Sequence, residues 1–226
     1  RVKAEETTHE LQAQKNRSAL ILDKLEEERC RISRELHDSI GQILYAAKFN
    51  LEVFEKSSSI ENKQIAEAKK LISTAGRELK SIIYSLHPII IDNYGLLAAL
   101  EHLCKEFTQT TGIKPEFNIG GLEGRLDSRI ELNVYRIVQE AFNNINKHAK
   151  AGAVQLKLIF NAGTLAVMIN DNGIGFEHTE FDDPKHGNIS FGIINMKERA
   201  EMMGGDFQIE SSPDKGTEIR VNIPIE

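Results

Sequence analysis

An apolar residue recurs every three or four positions along the first third of the chain, and this spacing constrains the fold more than any other sequence feature. Alternating steps of three and four place such residues on one face of a helix, as in a coiled coil. Two helices of this kind, joined by a short polar break, form an α-helical hairpin with an apolar face, and two copies would bury that face as a dimeric four-helix bundle. The first stripe comprises residues 22, 25, 29, 32, 36, 39, 43, 46 and 53, of which Arg29 and Ser39 are polar, and the second comprises residues 65, 68, 72, 75, 79, 82 and 86.

His37 and Asp38 lie just off the first stripe, so both side chains are expected to face water. A neutral imidazole beside a carboxylate can act as a nucleophile, since the carboxylate can take or orient the second ring proton. Gly41 is expected to leave space around the imidazole, and Gln42 offers an amide that can position a water. A histidine on an exposed helix face is more often an ordinary surface residue, so this interpretation depends on the rest of the chain.

Composition narrows the class of protein. The chain has 226 residues, 40% of them hydrophobic and 27% charged, which is typical of one or two globular domains. Its net charge of −6 argues against nucleic acid as the main partner. Cys30 and Cys104 are far apart and lack metal-ligand spacing, which favours a reducing cytoplasm. The sequence contains no run of eighteen apolar residues, so it predicts no membrane contact. Because the sequence begins with Arg1 inside a helical pattern, we expect a longer parent protein.

The pattern changes after His87-Pro88 to a mixture of helices and strands. Proline disfavours helix in the residue before it, so this pair ends the second helix and His87 is assigned a structural role. Asp127 or Ser128 is expected to cap a long helix. Strand hairpins with helices between them predict a mixed sheet with helices on one face, an α+β two-layer sandwich. The predicted helices are 96–108, 128–148 and 193–203, and the predicted strands are 113–119, 154–160, 164–169, 207–211 and 218–223.

Three segments of this second half carry candidate chemistry. On the long helix, Glu140, Asn144 and His148 are four residues apart and form one polar stripe. The neutral amide oxygen of Asn144 suits Mg²⁺, and Glu140 is placed to bind a metal-bound water or to polarise a reacting group. Taken alone, such a polar stripe is more often an ordinary solvated helix face.

The other two segments are rich in glycine. Asp171, at a predicted strand end, can accept a hydrogen bond from an exocyclic amine such as that of adenine, while Gly173 and Gly175 are expected to let the backbone approach a flat base. Neither a dinucleotide fingerprint nor a P-loop is present. The polar loop 178–190, ending at a helix N-terminus, suits a lid over phosphates, and Gly216-Thr217 can supply a further close approach.

The His37-Asp38-x-x-x-Gln42 sequence resembles the phosphorylation motif of a subfamily of two-component sensor histidine kinases, and residues 86–100 are similar to the linker of that subfamily. The second half is similar to the N, G1, G2 and G3 boxes of the GHKL ATPases, which have the Bergerat ATP-binding fold. Ser190 and Asn195 depart from the glycines usual at the lid. The matching residues are Glu140-x-x-x-Asn144, Asp171-x-Gly173-x-Gly175, the glycine-led helix after the lid, and Gly216-Thr217.

The resemblance implies a catalytic core with a signalling coiled coil over residues 1–21, a dimerisation and histidine phosphotransfer domain over 22–88, and a catalytic ATP-binding domain over 89–226. It implies ATP-dependent autophosphorylation on His37, with Asp38 as general base or orienting group. The phosphoryl group would pass to an aspartate of a response regulator, usually one with a helix-turn-helix output domain. Gln42 would support phosphatase activity toward that regulator.

For the nucleotide site, the resemblance implies ATP with Mg²⁺. Asn144 would hold the metal, Asp171 would bind adenine, Glu140 would serve phosphoryl transfer, and His148 would lie near the phosphates. The remaining residues of the implied ATP site are Lys147, Gly173, Gly175, Gly187, Gly192, Gly216 and Thr217.

The resemblance also implies a homodimer in the cytoplasm without direct nucleic-acid binding, and it leaves open a membrane anchor elsewhere in the parent protein. Two alternatives from other classes are a nucleotide-binding dimeric scaffold without kinase activity and a GHKL ATPase that drives conformational change.

Overall fold

The computed structural model describes residues 2–57, 63–121, 124–177 and 189–225. The chain divides into two compact units, one formed by residues 20–89 and the other by residues 90–226 together with residues 1–19. Gly187 and most of the loop predicted as a lid lie outside the described residues.

The unit of residues 20–89 is a helical hairpin. Helix α1 (Val2–Leu36) continues through a π-helical turn at His37–Gly41 into α2 (Gln42–Ser57), and α3 (Lys63–Leu86) forms the second arm. The predicted hairpin is confirmed, but the expected uninterrupted α-helix around His37 is not, because the chain there has the wider π-helical winding. A π-helical turn inside an α-helix often marks a functional position.

The interior of the hairpin includes only part of the predicted stripes: Leu22 and Leu79 are buried as expected, and the other buried residues lie one position beyond a stripe residue. A helix in a hairpin buries only the side that faces the other arm, so part of a wide apolar stripe stays exposed within one chain. The residues buried here are Leu22, Glu26, Ser33, Leu79 and Ile83, whereas the stripe residues Leu25, Ile43, Val53 and Ile82 are 47–67% exposed.

The second unit contains a five-stranded mixed sheet with strand order β1-β2-β3-β5-β4. Strand β1 runs parallel to β2, and every other neighbouring pair is antiparallel. Burial alternates along β2, β3 and β5, as expected for a sheet with one face against a core. The strands are β1 (Glu116–Gly120), β2 (Val154–Asn161), β3 (Thr164–Asp171), β4 (Asp206–Ser211) and β5 (Thr217–Pro224).

Three helices share one buried apolar cluster with this sheet, which confirms the predicted α+β layers. They are α4 (Ile89–Thr111), α5 (Ser128–Asn144), which runs into a π-helical turn at Ile145–Ala149, and α6 (Ile189–Met202). Helix α4 begins seven residues before the predicted start at Leu96 and contains a break at Gly95, where φ is 83°.

An ion pair fixes the start of α5, the helix that carries the polar stripe. The carboxylate of Glu131 is buried, and Arg125 Nη2 lies 2.7 Å from its Oε2. The same guanidinium nitrogen donates to the carbonyl of Ile91 at 2.9 Å, and Leu126 N donates to Glu131 Oε1 at 3.1 Å. These bonds connect the segment before α5 to the first turn of α4.

No single helix in the described ranges is long and apolar enough to cross a membrane; one bent pair of consecutive helices, Lys63–Leu86 with Ile89–Thr111, meets that test by length and composition only.

The structure decides which residue caps α5. The side chain of Asp127 accepts a hydrogen bond from Arg129 N at 2.9 Å, whereas Ser128 is already the first helical residue. We expect Asp127→Ala to lower the free energy of unfolding of the 226-residue chain by about 1 kcal/mol, measured by urea denaturation. Ser128→Ala is the matched control and should stay within about 0.5 kcal/mol of the parent; equal effects of the two substitutions would disprove the cap.

Candidate nucleotide and phosphoryl-acceptor sites

The imidazole of His37 and the carboxylate of Asp38 lie side by side in the π-helical turn. His37 Nδ1 is 3.1 Å from Asp38 Oδ1, and the two side chains are 66% and 71% exposed. The expectation that both face water is therefore met. If Nδ1 carries the ring proton and donates it to Asp38, then Nε2 keeps its lone pair for a reaction partner.

His37 shares a groove with Gln42. This groove has a volume of about 790 Å³, lies between α2 and α3, and is also lined by Tyr45, Arg77 and Lys80. The structure thus brings the candidate acceptor and the candidate water-positioning amide to one surface, together with three cationic residues, Lys48, Arg77 and Lys80.

Gly41 does not clear space for the imidazole. A Cβ atom at this position would meet the carbonyl oxygen of Leu36 at 3.8 Å and Leu79 Cδ2 at 4.0 Å, both ordinary contacts, and no atom of His37 within 4 Å. The expected reason for this glycine is wrong, because the position faces α3 instead of the histidine ring.

A cavity of about 380 Å³ lies in the second unit, where the end of α5 meets the ends of β3 and β5. Its size is typical of a small-molecule site. Most of the wall is apolar, including Ile145, Ile169, Phe176 and Met196. The polar groups come from residues far apart in the sequence that were predicted as site residues: Asn144, Lys147, His148, Asp171 and Thr217, together with the backbone of Gly175.

Lys147 and His148 reach the cavity from the π-helical turn Ile145–Ala149, where the sequence predicted continuous α-helix. The helix ends at Lys150, which has a left-handed conformation with φ of 49°. The wider turn changes the direction of the last side chains relative to an α-helix, so their positions do not follow from four-residue spacing.

Asp171 is the buried polar group of the cavity, with 4% of its surface exposed. Its Oδ1 accepts a hydrogen bond from Gly173 N at 2.7 Å, and the N–H of Thr217 also donates to the carboxylate. Burial raises the pKa of Asp171 more than these two N–H groups lower it. When ionised, the carboxylate keeps lone pairs that can accept from an amine in the cavity.

The glycines around this carboxylate permit main-chain packing. A Cβ atom at Gly173, Gly175 or Gly216 would lie less than 3.0 Å from main-chain atoms of Ala149, Ser212 and Asp171, respectively. These glycines therefore let loops approach one another and so shape the cavity, and close approach of Gly173 and Gly175 to a flat base stays a prediction.

Glu140 and Gly192 also lie together. A Cβ atom at Gly192 would be less than 3.0 Å from Glu140 Oε1, so the missing side chain makes room for the carboxylate. Among the described residues, the cavity lining includes Asn144 and His148 of the predicted stripe but not Glu140.

Comparisons with known proteins identify both units. The family described as "Histidine kinase-, DNA gyrase B-, and HSP90-like ATPase" matches residues 130–226, and the family described as "Histidine kinase" matches residues 28–90. The chain belongs to the sensor histidine kinases.

Curated relatives agree with this membership in the histidine kinases. DegS of Brevibacillus brevis, a signal transduction histidine-protein kinase/phosphatase, is 36% identical over 210 residues, covering 91% of this chain and 53% of that protein. The oxygen sensor histidine kinase NreB of Staphylococcus carnosus is 34% identical, covering 88% and 57%, and the sensor histidine kinase LiaS of Bacillus subtilis is 32% identical, covering 96% and 58%. The chain thus spans about half the length of the curated relatives it matches, and it corresponds to the kinase catalytic core.

A solved structure shows the same fold. The histidine kinase domain of the Erythrobacter litoralis EL346 blue-light activated histidine kinase superposes with a TM-score of 0.53, covering 86% of this chain and 94% of that domain at 18% identity. The ATP-binding character of the second unit of this kinase core follows from its family.

The sequence did not indicate two residues that position the cavity of this kinase core. Asn172 Oδ1 accepts from Gly152 N and Ala153 N, both at 2.8 Å, and so ties the loop after β3 to the start of β2. Ser211 binds the same loop from β4. A short polar side chain at a strand end is a weak signal for such backbone bonding, and the partners lie 19 to 35 residues away.

Proposed function

We propose that this kinase core autophosphorylates on His37, using ATP bound in the cavity of the second unit. The observation that carries the proposal is the 3.1 Å contact between His37 Nδ1 and Asp38 Oδ1 on an imidazole that is two-thirds exposed. Nothing in that geometry blocks Nε2, and the carboxylate is placed to hold the other ring proton.

The chemistry requires one bond to form and one to break. Nε2 of His37 attacks the γ-phosphorus while the bond to the oxygen that bridges the β- and γ-phosphates breaks, and ADP leaves with that electron pair. The Nδ1 proton moves toward Asp38, which keeps the ring from accumulating charge. The protein contributes mainly positioning and charge neutralisation, as phosphoryl transfer requires.

The cavity residues divide into a base end and a phosphate end. We assign Asp171 and Thr217 to adenine, and Lys147 and His148 to the phosphates. Glu140 is assigned to the phosphoryl-transfer step. Gly175 shapes the base end directly, while Gly173, Gly192 and Gly216 support the walls.

The donor set of the cavity fits Mg²⁺ held partly by the nucleotide. In the described ranges no group of three or more His, Cys, Asp or Glu side chains could hold a metal alone, whereas the amide of Asn144 lines the cavity. Mg²⁺ commonly takes one or two protein oxygens and completes its shell with phosphates and water. Bound there by Asn144, it would neutralise phosphate charge.

We infer that the hairpin dimerises. Leu25, Ile43 and Val53 of the first arm and Ile82 of α3 are about half exposed or more within one chain. Their burial against a second copy would complete a four-helix bundle. Residues 22–88 then form the dimerisation and phosphotransfer domain, residues 1–21 a signalling coiled coil, and residues 89–226 the catalytic domain.

The groove beside His37 is the proposed docking surface for a response regulator, in this subfamily usually one with a helix-turn-helix output domain. Gln42 would orient the water that hydrolyses the phospho-aspartate of that regulator. The need for ATP and the free thiols of Cys30 and Cys104 favour a cytoplasmic location.

Autophosphorylation is tested with γ-labelled ATP. We expect acid-labile, base-stable label on the parent chain and its loss in His37→Gln, with ATP binding and dimerisation unchanged. His102→Gln in α4 is the matched control and should keep the label. Absence of label from the parent would favour the non-catalytic scaffold, and label remaining in His37→Gln would place the acceptor elsewhere.

The metal assignment is tested with Asn144→Asp. A carboxylate beside the triphosphate adds like-charge repulsion where a neutral ligand is needed, so we expect ATP affinity to fall by at least roughly tenfold. The measurement is calorimetric titration with ATP in the presence and absence of Mg²⁺. Asn143→Asp adds the same charge at an exposed neighbouring position and should bind as the parent does; if both variants behave alike, Asn144 is only a surface amide.

The two activities proposed for the His37 surface should separate by substitution. Asp38→Ala removes the group that holds the ring proton, and autophosphorylation should fall by roughly 10²–10⁴. Gln42→Ala should keep autophosphorylation but lose the release of phosphate from a pre-phosphorylated regulator. Asn50→Ala, an exposed amide further along α2, is the control for both assays. Dephosphorylation at the parent rate by Gln42→Ala would refute the water-orienting role.

A further inference from the structure

Ser211, at the end of β4, joins three elements of the nucleotide cavity through one hydroxyl. Phe176 N lies 3.0 Å from Ser211 Oγ, the carbonyl oxygen of Gly216 lies 2.9 Å from it, and Thr217 Oγ1 lies 3.1 Å from it. Phe176 and Thr217 line the cavity, whereas Ser211 is not among its described lining residues. Any effect of Ser211 on a bound nucleotide must therefore pass through these neighbours.

The Ser211–Thr217 contact allows either hydroxyl to donate, and its direction follows when all three contacts of Ser211 are hydrogen bonds at once. A serine hydroxyl has one proton and two lone pairs. The Phe176 N–H can only donate, so Ser211 accepts from it, and the Gly216 carbonyl can only accept, so it takes the serine proton. The remaining contact is a hydrogen bond only if the hydroxyl of Thr217 donates to Ser211.

This direction determines what Thr217 can offer a ligand. Because its hydroxyl proton points at Ser211, only oxygen lone pairs remain for the cavity. Asp171 beside it accepts from the N–H groups of Gly173 and Thr217, and an ionised carboxylate can only accept. The base end of the cavity therefore presents hydrogen-bond acceptors and no side-chain hydroxyl donor from Thr217.

We propose that Ser211 sets the base preference of the cavity by holding Thr217 as an acceptor, which favours a 6-amino purine over a 6-oxo purine. The two N–H bonds of a 6-amino group match the acceptors of Asp171 and Thr217, whereas a 6-oxo group would place its own acceptor oxygen against them. This inference rests on the proposed ATP site, with the position-6 substituent facing Asp171. Ser211 acts as a positioning residue, through Thr217.

The test compares the affinities of ATP and inosine triphosphate, which differ at position 6, for the 226-residue chain by calorimetric titration. The parent should prefer ATP. In Ser211→Ala the Thr217 hydroxyl can rotate and donate, so ATP affinity should fall by roughly threefold to tenfold while inosine triphosphate binds as well as before or better. Ser211→Thr keeps a hydroxyl and should restore the preference, and Ser212→Ala, an exposed neighbour, should leave it unchanged.

A double-variant cycle shows whether Ser211 works through Thr217. Thr217→Val removes the acceptor, so it should lower the ratio of the affinity for ATP to the affinity for inosine triphosphate. Ser211→Ala added to Thr217→Val should lower this ratio no further. A purely structural role would instead weaken both nucleotides equally in Ser211→Ala and would add to the effect of Thr217→Val.

The outcomes separate this inference from the function on which it rests. A parent that binds ATP and labels His37, but whose preference is unchanged by Ser211→Ala or Thr217→Val, overturns the role of Ser211 alone. A parent that prefers neither nucleotide also overturns it. Failure of the parent to bind ATP at all would overturn the proposed function. If Ser211→Ala does not fold, as thermal unfolding would reveal, Thr217→Val and Ser211→Thr still decide the question.

Discussion

The close main-chain approach of Gly216 to Asp171 is the constraint on which the proposed nucleotide cavity depends. Strands β3 and β5 pair in register up to Asp171 and Thr217, and Gly216, with φ of 78°, lies against the carbonyl of Asp171 where no side chain fits. The pairing places the N–H of Thr217 on the buried carboxylate. The position of the carboxylate is thus set by strand register, which holds it more rigidly than a mobile loop could.

The second arrangement that shapes the chemistry is a π-helical turn at each candidate site. One turn, His37–Gly41, contains the proposed acceptor, and the other, Ile145–Ala149, presents Lys147 and His148 to the cavity. A π-helical turn is rare in proteins and, where it occurs inside an α-helix, is frequently found at a functional site. The first turn interrupts a helix and the second ends one, whereas the rest of both helices has ordinary α-helical winding.

Much of the fold could be predicted from the sequence, because its elements have local signatures. Apolar spacing predicts the hairpin helices, and the alternation in β2 and β3 with the turn between them predicts their pairing. Asp171 could be chosen because it follows a predicted strand and precedes Gly173 and Gly175, an order that resembles a box of the GHKL ATPases. The bonds of Ser211 and the main-chain contacts of Gly173 could not be predicted, since they depend on partners far along the chain. The π-helical turns were not predicted because the residue spacing there indicated continuous α-helix. Gly41 shows the same limit: its spacing pointed to His37, whereas the packing places it toward Leu79.

The exposure of His37 sets a requirement on the proposed reaction. Its side chain is 66% exposed and lies in an open groove, whereas phosphoryl transfer to nitrogen competes with transfer to water unless water is excluded. The described residues of the hairpin form no enclosing wall around Nε2, so another surface must cover the imidazole at the moment of transfer. For autophosphorylation that surface would be a catalytic unit carrying ATP, and for transfer onward it would be the regulator. An exposed histidine can react with the catalytic unit and the regulator in turn, because neither would stay bound over the imidazole. The Asp38 contact would keep the ring oriented between the two transfers.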